Sequence, residues 1–502
     1  MSGPSSPSTV FHPRPAPGRA RPWEFPVPVR ETLTEGVRVL RCHRPGRQLI
    51  TVEIFLALPL HLEQAYVDGL ATVLTRSLVE GVGHLDAQAF ADRLERCGAS
   101  FEAYADSPGI RAVLSVPARH LVGLLPLIGR ALLEPALSDE GIQHVVRLRL
   151  DEIRYENASP ARRAGMALYR HLFAAEDRIS RPRQGTHESV GAIGPALVRD
   201  FHRHVMTRAA MTVILVGDLQ QAHLDRSIRE AFGDWPASAD AAVLPAVTAS
   251  GHGRTVLLDR PGAPQTYVMA GAIAAGRRDV SWAAQEIGIY CLGGTLTSRL
   301  NLILREQKGV SYGMRAFAQP LVNPVNGASG SLAAINGAVA TDATAETLSD
   351  IRTILDDVAT RGLTPEERDF AVRVATETAP IALQTSAAVA TTLVQQVEQG
   401  LPDDAQARLY QELARVTTAE ASAAAVRAYP GEGLVTVLVG DAARIHPAVN
   451  SLGPGEVTVV PAKPAPRRPA APRTSTPFTI PAVHARKDNG FLPHAGVPRA
   501  AG

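Results

Sequence analysis

Unbroken apolar runs and runs of helical period alternate along this chain. TVILVGD (212–218) and VTVLVGD (435–441) are short, β-branched and closed by Gly-Asp, which predicts buried strands that end in a turn. ITVEIFLAL (50–58), RAVLSVPA (111–118) and QTYVMAGAI (265–273) predict further strands. In GLATVLTRSLVEG (69–81), Leu70, Val73, Leu74 and Leu78 recur at helical spacing, so one face of a helix is buried and the other carries Thr72, Thr75 and Arg76. A second helix is predicted over 139–157, starting after Ser138 or Asp139. In LTPEERDFAVRVATETA, Thr364 is placed as N-cap, Pro365 in the first turn and Glu367 as the reciprocal residue of a capping box.

The pattern repeats. Gly217 and Gly440 of the two V-G-D strands are 223 positions apart, and Gly98 of ERCGASFEAY and Gly309 of EQKGVSYGMR are 211 apart. The two opening strands lie about 215 apart, so three matches in one order predict a duplicated unit of roughly 210–220 residues. The fold class is α+β: two homologous α/β-sandwich domains in tandem, each a mainly antiparallel sheet covered by helices. The expected divisions are a Pro-rich N-tail at 1–28, a first domain at 29–236, an Ala/Pro/Ser/Gly-rich linker at 237–262, a second domain at 263–455 and a basic Pro-rich C-tail at 456–502. Both tails are expected to be disordered, since such composition cannot bury enough surface to offset the entropy of ordering.

At 502 residues, 45% hydrophobic and 20% charged, the chain is long enough for two cores. A formal net charge of +2 argues against nucleic acid or an acidic membrane as partner. No apolar run approaches the roughly 18 residues of a membrane span, and no secretory signal is apparent. Cys42, Cys97 and Cys291 form no C-x-x-C pair and fit free thiols in a reducing cytoplasm. There is no phosphate loop, dinucleotide fingerprint or G-x-S-x-G elbow. His202 and His204 in FHRHV read as a surface pair near a helix end rather than a metal site.

The repeat order, the V-G-D strand ends and LGGTLTSRLNLILREQKGVSYG (292–313) together resemble the pitrilysin/insulinase (inverzincin) zinc-peptidase family over about residues 30–450. GLATVLTRSLVEG, CGASFEAYADSPG, RLDEIRYENASP and HVMTRAAMTVILVGD, in that order, carry the rest of the resemblance. Active members bear H-x-x-E-H on the first helix, two histidines for zinc and a glutamate to activate water. By the resemblance those positions fall at Thr72, Thr75 and Arg76, while the family's downstream acidic ligand falls at Glu152, which is kept. Thr72 is a weak ligand, Thr75 lacks basicity near neutral pH, and Arg76 repels a dication, so Arg76 is expected to meet Glu152 where zinc would sit. The segment 172–188, FAAEDRISRPRQGTHES, also departs from the family's H-P-Y-G-R-P.

The second domain of the family contributes an Arg and a Tyr that contact substrate; the matching residues are Arg305 and Tyr312 of LREQKGVSY. The first half has Phe101 where the second has Tyr312, so the hydroxyl occurs only where the family uses it. The glycine turn at Gly293 and Gly294 is short, unlike the long glycine-rich loop of the mitochondrial non-catalytic subunit. The resemblance thus implies a cytoplasmic non-catalytic subunit that binds no cofactor itself. A partner with an intact H-x-x-E-H would hold zinc and cleave unfolded or leader peptides. The alternative is a structural or peptide-binding scaffold with no proteolytic role.

Overall fold

The computed structural model describes residues 23–237, 244–453 and 457–462. Twelve strands form two six-stranded sheets. The first uses β1 (Val29–Thr34), β2 (Val37–His43), β3 (Leu49–Leu56), β4 (Ser100–Asp106), β5 (Gly109–Pro117) and β6 (Met211–Gly217), in the order β1-β2-β6-β3-β5-β4. The second uses β7 (Thr255–Asp259), β8 (Gln265–Ala275), β9 (Ser311–Val325), β10 (Ala328–Ala340), β11 (Val435–Gly440) and β12 (Val457–Val460), in the order β12-β7-β11-β8-β10-β9. From β2 to β4 and from β7 to β9 the two strand orders correspond strand for strand. In each sheet a V-G-D strand lies between a parallel neighbour (β2 or β7) and an antiparallel one (β3 or β8). Only the outer edges differ, β1 running antiparallel to β2 and β12 parallel to β7.

The duplication extends to turn geometry. Gly98 and Gly309 have φ of 61° and 64°, a left-handed conformation that glycine adopts without strain. Each lies the same short distance before an edge strand, so Phe101 and Tyr312 are both the second residue of theirs.

The unbroken apolar character of the strands has a structural cause: both faces of each sheet are buried. In β6, Val213 and Leu215 face the main core of the first half, while Ile214 and Val216 face the opposite layer. That opposite layer comes from the other half. Helices α1 (Leu70–Ser77), α2 (Asp139–Ala158) and α3 (Pro160–Leu172) belong to the first half, and α4 (Pro365–Glu377) and α5 (Ser386–Glu398) to the second. Yet Val389, Ala390, Leu393 and Val394 of α5 pack on Leu40, Phe55, Ile214 and Val216 of the first sheet. Reciprocally, Ala164, Ala167, Leu168 and Leu172 of α3 pack on Val256, Val435, Val437 and Val439 of the second.

The local start signals act as expected: Ser138 caps α2 by accepting from Gly141 N, and Thr364 with Glu367 closes a capping box on α4. Several boundaries differ. β7 lies inside the stretch read as a linker, because Val256 and Leu257 fill opposite sides of the second sheet despite Ala- and Gly-rich flanks. β12 lies inside the stretch read as C-tail, with Val457 buried against the second core. Phe25 is buried behind the first sheet and Trp23 meets Tyr410 edge-on at 5.4 Å, so the first half begins before residue 29. The rest of both tail calls, 1–22, 456 and 463–502, lies outside the described residues. Trp282–Gln307 is long and apolar enough for a span by length and composition alone, contrary to the sequence reading, but Trp282, Ile287, Leu292, Leu300 and Leu304 fill the second core.

Leu393→Ala removes apolar bulk from α5 behind the first sheet and is expected to lower unfolding free energy by about 2–5 kcal/mol. Urea titration followed by tryptophan fluorescence measures it, with Trp235 and Trp282 reporting the two halves. A loss near zero would show that the exchanged helix does not support that sheet.

Candidate functional site

α1 enters the first core behind Gly69, whose φ is 101°. Its free N-terminal amides are satisfied by Glu63, which accepts from Ala71 N at 2.7 Å and Gly69 N at 3.3 Å. The two-faced helix expected from the spacing is not what forms. Thr72 and Thr75 are buried along with Leu70, Val73 and Leu74, and of the three polar positions only Arg76 reaches solvent. Thr75 Oγ1 donates to Thr72 O at 3.0 Å, whereas Thr72 Oγ1 is buried with no hydrogen-bond partner among the described residues.

The segment that departs from the H-P-Y-G-R-P pattern clamps the turn that leads into α1. Arg178 donates to Glu63 at 2.8 Å, lies 3.0 Å from Asp68, and also donates to the carbonyls of Arg181, Pro182 and Arg183. Arg181 donates to Asp68 at 2.7 Å, and Ser189 Oγ to Asp68 O at 2.8 Å. Gly185 is required there: its φ is 77°, and a Cβ would lie 2.2 Å from Asp68 O. Burial pushes the Glu63 carboxyl up, against the opposing charge of Arg178. The sequence signal for this clamp is the arginine density of DRISRPR; the acidic partners of Arg178 and Arg181 lie more than a hundred residues upstream.

Arg76 and Glu152 do meet. Arg76 Nη1 donates to Glu152 Oε2 at 2.7 Å, joining α1 to α2. A third residue, missed by sequence reasoning, completes the cluster. Arg149, one turn earlier on α2 and almost fully buried, donates to the same Glu152 oxygen at 3.0 Å, to both oxygens of Glu156 at 3.0 and 2.8 Å, and to Gln184 O at 3.1 Å. Burial alone would push the Glu152 carboxyl up, but hydrogen bonds from Arg76 and Arg149 prevail and hold it below the usual carboxylate range. With its side chain 44% exposed, this pair is well screened.

These residues do not fit zinc. Two fixed guanidinium charges converge on Glu152 Oε2 and repel a dication, and the remaining positions offer hydroxyls only. The histidine pair is also clear: His202 is buried, not at the surface, with Nε2 2.8 Å from Leu132 O, while His204 Nδ1 sits 3.1 Å from Asp200 O.

In the second half, Arg305 and Tyr312 are brought together. Arg305 lies in a π-helical turn, Leu302–Gln307, and its Cζ is 5.7 Å from the centre of the Tyr312 ring. Tyr312 is 93% exposed, and its hydroxyl has no hydrogen-bond partner among the described residues. Its counterpart Phe101 instead turns inward, edge-on to Phe90 at 6.3 Å. Arg305 Nη1 lies 3.0 Å from Glu306 Oε1. The surrounding turn is anchored. Asn301 accepts from Met314 N at 2.8 Å and donates to Thr295 O at 2.7 Å. Arg299 donates to Glu367 at 2.5 and 2.8 Å and to Asp357 at 2.9 Å, so the capping-box glutamate of α4 also fixes this turn. Among the described residues, no hydrogen bond or ion pair joins the Arg76–Glu152 cluster to the Arg305–Tyr312 pair.

Comparison with known proteins agrees with this architecture. Residues 192–374 match the family model described as the peptidase M16 inactive domain. An uncharacterised zinc protease of Mycobacterium leprae (strain TN) is 25% identical over 286 residues, covering 56% of this chain and 64% of that protein's length. One of Mycobacterium tuberculosis (strain ATCC 25618 / H37Rv) is 24% identical over 345 residues, 68% of this chain and 77% of the relative. Among solved structures, a peptidase M16 inactive domain from Pseudomonas fluorescens superposes with a TM-score of 0.73 at 21% identity, covering 82% of this chain and 98% of its own. A protease from Helicobacter pylori gives 0.72 at 16% identity, covering 82% and 99%. The inactive-domain match crosses the junction of the two halves, and these solved structures share the fold of this chain.

Proposed function

We propose that this protein is the non-catalytic subunit of a two-chain zinc peptidase, lending Arg305 and Tyr312 to a partner whose intact H-x-x-E-H holds the zinc. The observation that carries this reading is the contrast at one duplicated position: Phe101 is folded onto its own core, whereas Tyr312 is held outward with Arg305 against its ring. A phenolic hydroxyl and a guanidinium fixed on an anchored turn are suited to polarise a peptide carbonyl and stabilise the oxyanion that develops from it. Orientation of these donors costs nothing at the moment of reaction, since the turn is already tied to α4 through Arg299.

The substrates would be unfolded or leader peptides, entering by strand addition to a sheet edge; β4 and β9 are both edge strands. The reading puts the pair in the cytoplasm, where Cys42, Cys97 and Cys291 would stay as thiols. One observation favours a second reading, a peptide-binding scaffold without proteolysis. β9 is a 15-residue edge strand, long enough to capture an extended chain through main-chain bonds alone.

Mixed with a companion subunit bearing H-x-x-E-H, the chain is expected to produce cleavage of a fluorogenic unfolded peptide that it cannot cleave alone. In that pair, Arg305→Ala or Tyr312→Phe should each lower kcat/KM by about a hundredfold. Equal cleavage by the doubly substituted pair would rule out a shared site and leave the scaffold reading. Metal analysis of the isolated chain after dialysis is expected to find far less than one zinc per chain. Stoichiometric retention would overturn the assignment of zinc to the partner.

A further inference from the structure

A cavity of about 450 Å³ lies where the two halves meet, between α3, the β4–β5 turn, β9 and the C-terminal end of α5. That volume suits a small organic ligand, and Met166, Met269 and Leu321 give it apolar walls. Its four arginines are already engaged. Arg111 donates to Glu53 at 2.5 and 3.1 Å, Arg162 lies 3.5 Å from Glu156, Arg181 donates to Asp68 at 2.7 Å, and Arg183 pairs with Asp106.

At the end of α5, two buried acceptor oxygens receive no hydrogen bond among the described residues, although Arg111 forms a long ion pair with one of them. Glu398 lines the cavity with its side chain only 9% exposed, and its Oε1 is buried with no hydrogen-bond partner among the described residues. Arg111 Nε stands 3.7 Å from that oxygen, beyond hydrogen-bond reach. Gln399 Oε1, beside it on the cavity wall, is likewise buried and unpartnered. Buried acceptors without donors are costly, so the unfilled capacity of this wall is for N–H groups. Facing Glu398 are the Arg111 cation, the two carboxylates Glu53 and Asp106 and the Tyr104 phenol, with Arg183 behind Asp106.

We propose that this cavity binds a small organic cation, an ammonium or guanidinium on an apolar stem, whose N–H groups are received by Glu398 and Gln399. Burial pushes the Glu398 carboxyl up to about 7, against the pull of Arg111 and helped by Asp106 and Glu53. A cation favours the ionised carboxylate, so its binding releases a proton from Glu398 and tightens as pH rises toward that value. The same chemistry is offered by a free amine or by the basic side chain of a peptide. The assignment holds whether or not the chain assists a peptidase.

Isothermal titration calorimetry of the full chain with agmatine, and separately with an end-blocked glycyl-arginyl-glycine peptide, tests this. At least one probe is expected to bind, with affinity rising up to about tenfold per unit from around pH 5 and levelling off above about pH 7. Agmatine binding identifies a free amine as the occupant, and binding of the peptide alone identifies a side chain. Glu398→Gln is expected to weaken binding at pH 8 at least tenfold and abolish the pH dependence, while Gln399→Leu weakens it less and keeps that dependence. Should Glu398→Gln fail to fold, buffer-dependent binding enthalpy of the unaltered chain near pH 6.5 still reads the released proton. Binding by neither probe, binding unchanged in Glu398→Gln, or no proton release would overturn the proposal.

Discussion

Two sheets that are apolar on both faces cannot stand in water with one covered side. Everything else in this molecule follows from how the second side is covered. Each half places its own helices over one face and borrows a helix for the other, α5 going to the first sheet and α3 to the second. The layers this creates are small and apolar: Val216 and Phe55 cluster with Leu393, and Val437 and Val439 with Leu168. Burial of this kind is the dominant favourable term in folding, and here it is shared between halves rather than completed within each. The cavity between the halves exists because the borrowed helices hold the sheets at a fixed relation, and the end of α5 forms part of its wall.

The same arrangement explains why the two candidate clusters differ in character. α1 packs against β4 and α2, while the arginine-clamped 178–189 segment holds the turn before it, so Thr72 and Thr75 behave as core residues. What polarity remains there is consumed internally, Arg76 and Arg149 neutralising Glu152 and Glu156. In the second half the equivalent edge strand carries an outward tyrosine, and the arginine beside it faces the ring rather than a buried acid. One duplicated frame therefore holds a closed cluster on one side and an open one on the other.

Much of this was legible in the chain. The V-G-D strands, the Gly98 and Gly309 turns and the Thr364 cap are set by local chemistry: β-branched packing, a left-handed glycine, a side-chain oxygen on a free amide. The Arg76–Glu152 contact followed from charge and from the resemblance. What escaped was whatever depends on partners remote in sequence. The polar face of α1 reads as exposed until β4 and α2 are packed against the helix. Arg149 looks like any helical arginine until its neighbours Glu152, Glu156 and Gln184 are seen to converge. β7 and β12 are too short, and too enclosed by Ala, Gly and Pro, to declare themselves without the central strand beside which they lie. Glu398 is separated from Glu53 and Arg111 by most of the chain and gains its character only when α5 docks.

A duplicated sequence ordinarily leaves one copy free to decay or be shed. Mutual roofing removes that freedom. Deleting either half would strip the covering helix from the other and expose a sheet face of valine, isoleucine and leucine to water and to other chains. A first half with threonines and an arginine where the resemblance would place metal ligands is thus still indispensable as architecture. The interlock ties the survival of one domain to the usefulness of the other.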